Sequence, residues 1–318
     1  NGYRRRSSIF IIFTQEKFKK MLKGIIKKAI SEKQKLSLKS KYNKARISVI
    51  NTFLSYNGEM LKNKLREMGI KETDTLLVHS NFNPDSGFKG APIDIVNALA
   101  EVVGTKGNLL MVSIPFRGTT YDYLMTNKPF NIKKTMSMMG FITEIFRRRE
   151  GVLRSFHPTH PVLAYGKDSK WLTSEHEKCL NLCGVGSPFD KFRQLKGKIL
   201  FFDVGFGAIT FFHYVEDITK EKLPFNVYSD ELFSVTAYDE NNNKHIIETY
   251  AYNKDIIRDA KKVEEEMLRR GLIKKDRVGN SSLLLMNAED VVACQTAMIE
   301  AGNFPYKYAG SDIRRNNG

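Results

Sequence analysis

Residues 74–114 constrain the fold more tightly than any other stretch. Asp74-Thr75-Leu76-Leu77-Val78-His79-Ser80 is an apolar run entering a polar turn from Asn81 to Gly90, and Asn108 to Ile114 is a second such run. Between them, Pro92 to Val103 reads as a helix, with proline in its first turn and Gly104 just beyond its end. Strand, loop, helix and strand at this spacing predict an α/β domain with a largely parallel sheet.

The flanking sequence fits that reading. A helical pattern from Thr52 to Met68 stops at Gly69, and Met138 to Arg149 reads as a helix closed by Gly151. Residues 115–134 form an irregular, aromatic-containing connection. Lys198 to Val204 is a buried strand, and Leu232–Tyr238 and His245–Tyr252 alternate across an Asn-rich turn as a β-hairpin. Ile256 to Arg270 reads as a charged helix, Ser281 to Met286 as a strand, and Ala288 to Ala301 as the final helix.

At 318 residues and 42% hydrophobic content, the chain can bury a sizeable core. Its net charge of +16 is concentrated at one end: residues 1–50 hold fifteen Lys and Arg against Glu16 and Glu32, leaving residues 51–318 nearly neutral. Two parts follow, a basic N-terminal extension (1–50) and a catalytic-sized domain (51–318), and the localised charge argues against a nucleic-acid partner. Apolar residues 18, 21, 22, 25, 26, 29 and 30, with lysines between them, predict a basic amphipathic helix. Residues 17–30 would suit an anionic membrane surface, a partner's groove or the protein's own domain. No apolar run reaches the length of a membrane span, and three cysteines make no full disulfide set, so a cytoplasmic setting is expected, with peripheral membrane contact through the basic helix.

Chemistry-bearing residues collect between Arg154 and Glu216, which holds four of the six histidines. His157 and His160 form an H-x-x-H, but together with Cys179 and Cys183 they match no common zinc spacing, and no metal is expected. Gly184-Val185-Gly186-Ser187-Pro188 is not a nucleophile elbow, and Gly205-Phe206-Gly207 lacks the third glycine of a dinucleotide cradle. Two histidines remain as candidate bases: His176, between Glu175 and Glu177, and His213, three residues before Glu216. A carboxylate that fixes the imidazole tautomer is the usual device for proton abstraction near neutral pH.

The run Gly140, Thr143-Glu144, Arg147, Gly151, Arg154-Ser155, His157-Pro158, Ala164, Gly166, His176, Gly184, Gly186-Ser187-Pro188, Leu200, Gly205, Thr210, His213 and Glu216 resembles the aminoglycoside 3-N-acetyltransferase, or antibiotic N-acetyltransferase, family. The likeness extends over about residues 55 to 305, and the Arg-Ser-x-His-Pro and Gly-x-x-Ser-Pro elements carry it.

That resemblance implies a three-layer α/β/α sandwich and an acyltransferase that moves acetyl from acetyl-coenzyme A to an amine in a ternary complex. It implies His176 as catalytic base and Glu216 as its orienting carboxylate, with His157, His213 and Thr210 lining the site. His79, Ser80, Arg154 and Ser155 are expected at the coenzyme, and Thr210 or nearby amides as oxyanion donors. The acceptor is expected to be an aminoglycoside or related aminosugar; the alternatives are an aminosugar precursor of a surface polysaccharide, or a non-catalytic binding role for the basic arm. A polycationic substrate calls for several carboxylates, and Asp85, Asp122, Asp203 and Asp217 are those on offer.

Overall fold

The computed structural model describes residues 32–308. It forms two compact units, one ending at Phe53 and one beginning at Leu54. The described part of the first is a single polar helix, α1 (Glu32–Phe53). The amphipathic pattern at residues 17–30, and with it the membrane-facing reading, lies outside the described residues. The expected helix from Thr52 to Met68 is two elements: α1 ends at Phe53 and α2 (Gly58–Glu67) begins afresh, with Asn57 accepting from the Met60 amide at 3.0 Å as its cap.

The second unit is built on a seven-stranded sheet. Its strands are β1 (Thr75–Ser80), β2 (Asn108–Val112), β4 (Leu153–Arg154), β5 (Val162–Gly166), β6 (Lys198–Phe202), β10 (Lys274–Val278) and β11 (Ser281–Asn287), in the order β10-β11-β6-β1-β2-β5-β4. Only the middle three run parallel: β1 pairs with β2 and β6 that way, whereas β5, β4, β11 and β10 are antiparallel to their neighbours. The sheet is therefore mixed, not largely parallel. The strand-helix-strand unit that marks the sequence describes only the centre; the outer strands are short or, as in Lys274–Val278, polar and exposed at the edge.

Burial explains why β1 and β2 read as continuous apolar runs, since both faces are covered. On one face Leu76, Val78, Leu109, Met111, Leu200 and Phe202 pack with residues of α2, α3 (Pro92–Val103) and α5 (Phe141–Arg147). On the other, Leu77, Leu110, Ile199 and Phe201 pack with α6 (Ser169–Thr173), α7 (Pro188–Gln194), α8 (Phe212–Ile218), α9 (Ala260–Arg269) and α10 (Ala288–Glu300). These are the three layers of an α/β/α sandwich.

Two smaller sheets complete the unit. β3 (Phe130–Asn131) joins the hairpin of β7 (Tyr228–Tyr238) and β8 (Lys244–Tyr252), whose turn is tied by Asp239 accepting from the amides of Asn241 and Asn243 at 2.9 and 2.8 Å. A single turn of helix, α4 (Thr120–Leu124), lies in the irregular 115–134 connection. Ile256–Arg258, expected as helix, is strand β9, paired with β12 (Tyr306–Tyr308), and the helix starts only at Ala260. The extended backbone there carries Arg258 to the site. Gly140 precedes α5 at φ +105°, a conformation that favours glycine, with its Cα face toward the Ser80 carbonyl, so the start of α5 closes on the end of β1.

Candidate active site

Glu216 is wholly buried on α8, and a carboxylate in that position needs partners. It has two. His213, one helical turn earlier, donates Nδ1–H to Oε2 at 2.8 Å, and Arg258 on β9 donates Nε–H to Oε1 at 3.1 Å. The i, i+3 spacing on α8 brings the imidazole and carboxylate together without help from a distant element. The ring of His213 also stacks on Tyr252, with centroids 4.3 Å apart. With Nδ1 carrying its proton toward Glu216, Nε2 is the basic nitrogen. His213 is half-buried in the wall of a cavity of about 440 Å³, shared with Phe116, Arg117, His160, Tyr252, Lys254 and Arg258 among others.

The structure does not join His176 to Glu216. His176 lies in a turn (His176–Lys178) and is wholly buried. Its Nδ1 accepts from the Ser155 hydroxyl at 2.8 Å, its Nε2–H donates to the Leu182 carbonyl at 3.0 Å, and its ring stacks on His157 at 4.4 Å. Burial pulls its pKa down to about 4. Both nitrogens are occupied, and Glu216 is bonded to His213 and Arg258, so the carboxylate expected beside His176 stands beside His213.

His157 is likewise buried away from the cavity: its Nδ1 accepts from the amides of Thr159 and His160 at 3.3 and 3.2 Å. His160, the other half of the H-x-x-H, is the one that reaches the cavity wall, edge-on to His213 and Tyr252. Thr210 stands one turn ahead of His213, its carbonyl accepting the His213 amide at 3.0 Å, and it is not among the residues lining the cavity. Among the described residues no group of three or more His, Cys, Asp or Glu is placed to hold a metal. None of their helices is long and apolar enough to cross a membrane.

The residues expected at the coenzyme divide. Arg154 is buried and donates to the carbonyls of Ser113, Ile132 and Thr135 at 2.8, 3.2 and 2.5 Å, with its guanidinium over the Phe130 ring. Burial pulls its pKa down to about 9. Ser155 donates to His176 and accepts from the Val162 amide at 2.8 Å. Both brace the loop between β4 and β5, and of their side-chain donors only Arg154 Nε is left without a protein partner. His79 and Ser80 differ: His79 Nε2, Ser80 Oγ and Ser113 Oγ are buried without a protein hydrogen-bond partner. His79 stacks on Phe201 and is held at a pKa of about 4 by burial. Ser80 ends β1 and Ser113 follows β2, both at the carboxyl ends of adjacent parallel strands, and Ser113 precedes Ile114 of the cavity wall. Open α/β sheets bind ligands at such ends.

Sequence reasoning missed Tyr252 and Arg258. The alternation of β8 marks Tyr252 as one of the hairpin's inward positions, but nothing local shows that His213 is what it meets. Arg258 was hidden by reading Ile256–Arg270 as one helix.

The comparisons with known proteins agree with this architecture. Aminoglycoside N(3)-acetyltransferase III of a Salmonella species is 25% identical over 261 residues, covering 74% of this chain and 88% of that protein. The SPbeta prophage-derived aminoglycoside N(3')-acetyltransferase-like protein YokD of Bacillus subtilis is 28% identical over 168 residues, 48% of this chain and 61% of that protein. Among solved structures, aminoglycoside acetyltransferase AAC(3)-Xa superposes with a TM-score of 0.70 at 19% identity, covering 83% of this chain and 99% of that one. AAC-IIIb, in a binary complex with CoASH, does so with a TM-score of 0.66 at 19% identity, over 81% and 99%. The model of the family described as aminoglycoside 3-N-acetyltransferase matches residues 77–300, and the chain belongs to that family.

Proposed function

We propose that the protein is an acetyl-coenzyme A-dependent N-acetyltransferase acting on an amino group of an aminoglycoside or related aminosugar, with His213 as general base and Glu216 as the carboxylate that orients it. The observation that carries the reading is the His213 Nδ1–Glu216 bond of 2.8 Å, made on the wall of a cavity large enough for a sugar. Support for donor and acceptor comes from relatives: AAC-IIIb was captured with CoASH and AAC-VIa with sisomicin.

The chemistry follows from the pair. An amine attacks a thioester only when its nitrogen lone pair is free, so a proton must leave it. His213 Nε2 takes that proton while Glu216 stabilises the imidazolium that forms. Arg258, on the far side of the carboxylate, holds Glu216 in place. The new C–N bond forms as the C–S bond breaks, and the proton passes from Nε2 to the departing sulfur. Acetyl-coenzyme A supplies the activated acyl group; Ser80, Ser113 and His79, with polar atoms not used inside the protein, are the residues proposed to meet it at the ends of β1 and β2.

The test is thiol release from acetyl-coenzyme A in the presence of an aminosugar. His213→Asn is expected to lower kcat by about 100- to 10,000-fold, the usual worth of a general base. A His213→Asn protein that keeps near wild-type turnover would sink the assignment.

A further inference from the structure

We infer that, of the two acceptor classes proposed above, this site takes the aminosugar, one carrying a negative charge, a phosphate or carboxylate, beside the amine it offers to His213, in preference to a polycationic aminoglycoside. This deepens the function proposed above and rests on its placement of the reaction at His213. The observation is the sign of the wall. The cavity that holds His213 is lined by Arg117, Lys254 and Arg258 and, among the described residues, by no aspartate or glutamate.

Arg258 is neutralised by Glu216, which leaves Arg117 and Lys254 as the uncancelled charges. Both are exposed on the connections that frame the mouth, and neither has an ion pair among the described residues. The Lys254 ammonium sits 4.7 Å from the centroid of the Tyr121 ring.

The carboxylates that sequence reasoning offered to a polycation are held elsewhere. Asp122 lies in the first turn of α4 and accepts from the hydroxyl of its cap, Thr119, at 2.7 Å, and Glu231, on β7, accepts from the Tyr121 hydroxyl at 3.2 Å. Asp203 takes the Ser281 hydroxyl and the Ser282 amide at 2.6 and 2.8 Å. Asp217 is buried under Tyr228 and the Cys183 amide, and Asp85 lies in the turn Pro84–Ser86. Asp255 follows Lys254 in the chain but is not among the lining residues.

A substrate with several ammonium groups would meet two cations and no counter-charge among the described residues at the point of reaction, and like charges in close approach repel. An amine carrying a phosphate or carboxylate gains where the polycation loses. The same cations could in principle serve phosphates of coenzyme A. Those phosphates hang a full pantetheine arm from the sulfur, whereas Arg117 and Lys254 share with His213 a cavity of about 440 Å³, the scale of one compact ligand.

Initial rates of thiol release should be compared for kanamycin, D-glucosamine and D-glucosamine 6-phosphate, with wild type and with Arg117→Glu/Lys254→Glu. The expected result is a KM for glucosamine 6-phosphate at least 10-fold below that for glucosamine, with kanamycin the poorest, and loss of the phosphate preference in the double variant. A lowest KM for kanamycin, or a preference unchanged by charge reversal, would overturn the inference. If no acceptor releases thiol, the proposed activity fails for these substrates, and calorimetric titration of glucosamine 6-phosphate and kanamycin onto protein saturated with coenzyme A still reads the wall. Phosphate binding that persists with coenzyme A and is lost in the double variant upholds the anionic site; no binding, or displacement by coenzyme A, overturns it.

Discussion

The molecule holds two histidine environments only a few residues apart in space, and they behave as opposites. Around His176, imidazole rings are structural: His176 and His157 stack in the interior, both nitrogens of His176 are bonded to neighbours, and burial holds both rings neutral. At His213 one nitrogen is committed to a carboxylate, no protein partner is shown for the other, and the residue lines a cavity. The lesson is that a nearby acid and a polar sequence neighbourhood do not make a base. What makes one is an ionised partner on one nitrogen together with access for substrate at the other.

Acid is the strongest probe of this contrast. His79 and His176 are held near a pKa of about 4, against about 6.5 in the unfolded chain, and His157 and His160 are also pushed well down. Below pH 6.5 the unfolded state takes up protons that the folded state refuses, so stability is full above that pH and is lost as it falls toward 4. Each of His79 and His176 accounts for about 3 kcal/mol when the loss is complete. Asp217 runs the other way, because burial raises its pKa to about 7 and it stabilises the fold as pH falls from there toward 3.8. Four histidines against one aspartate give a net loss, expected as a steep drop in the urea midpoint between pH 6.5 and 4. A flat midpoint over that range would mean the interior histidines are not buried neutral.

Removing charges from the reactive pair comes next in size. Glu216→Ala leaves the half-buried Arg258 without its counter-ion, and breaking a pair whose carboxylate is buried costs at most about 3–5 kcal/mol. The variant should be both less stable and nearly inactive. Glu216→Gln, which keeps the shape, is expected to restore most of the stability while leaving thiol release well below wild type. Full activity in Glu216→Gln would break the claim that the carboxylate matters to chemistry and not only to Arg258.

His176→Asn should show the reverse profile. It loses bonds to Ser155 and to the Leu182 carbonyl inside the protein, at a cost of about 1–3 kcal/mol for the polar groups left behind. The folded fraction should keep its kcat, and the pH dependence of kcat should not move. A selective loss of kcat in a fully folded His176→Asn protein would return the base to His176.

Much of this arrangement was legible in the chain. The apolar runs of β1 and β2 and the helix between them fixed the centre of the sheet, and the three-residue spacing from His213 to Glu216 already placed an imidazole over a carboxylate. Three things were not legible. The antiparallel outer strands follow from where the connections return, which Leu153–Arg154 and Lys274–Val278 are too short or too polar to announce. Arg258 looked helical because charged residues continue through Arg270, yet pairing with Tyr306 keeps it extended. The burial of His176 depends on stacking against His157 from another loop, and local polarity between two glutamates pointed the opposite way.

The smallest expected effect separates two ways of holding a reactive ring. His213 is fixed by Glu216 at its edge and by Tyr252 across its face, so replacing Tyr252 by Leu keeps apolar contact and removes the stack. Aromatic pairs contribute about 0.5–1.5 kcal/mol beyond the area they bury, which corresponds to roughly a 3- to 10-fold change in rate if all of it is used to orient the imidazole. Tyr252→Leu should therefore lower kcat by about that factor while leaving the anion preference of the cavity in place, since Arg117 and Lys254 are untouched. An unchanged kcat would mean the carboxylate alone orients His213. A loss beyond about 100-fold would exceed what stacking supplies and would bring the Tyr252 hydroxyl itself into the reaction.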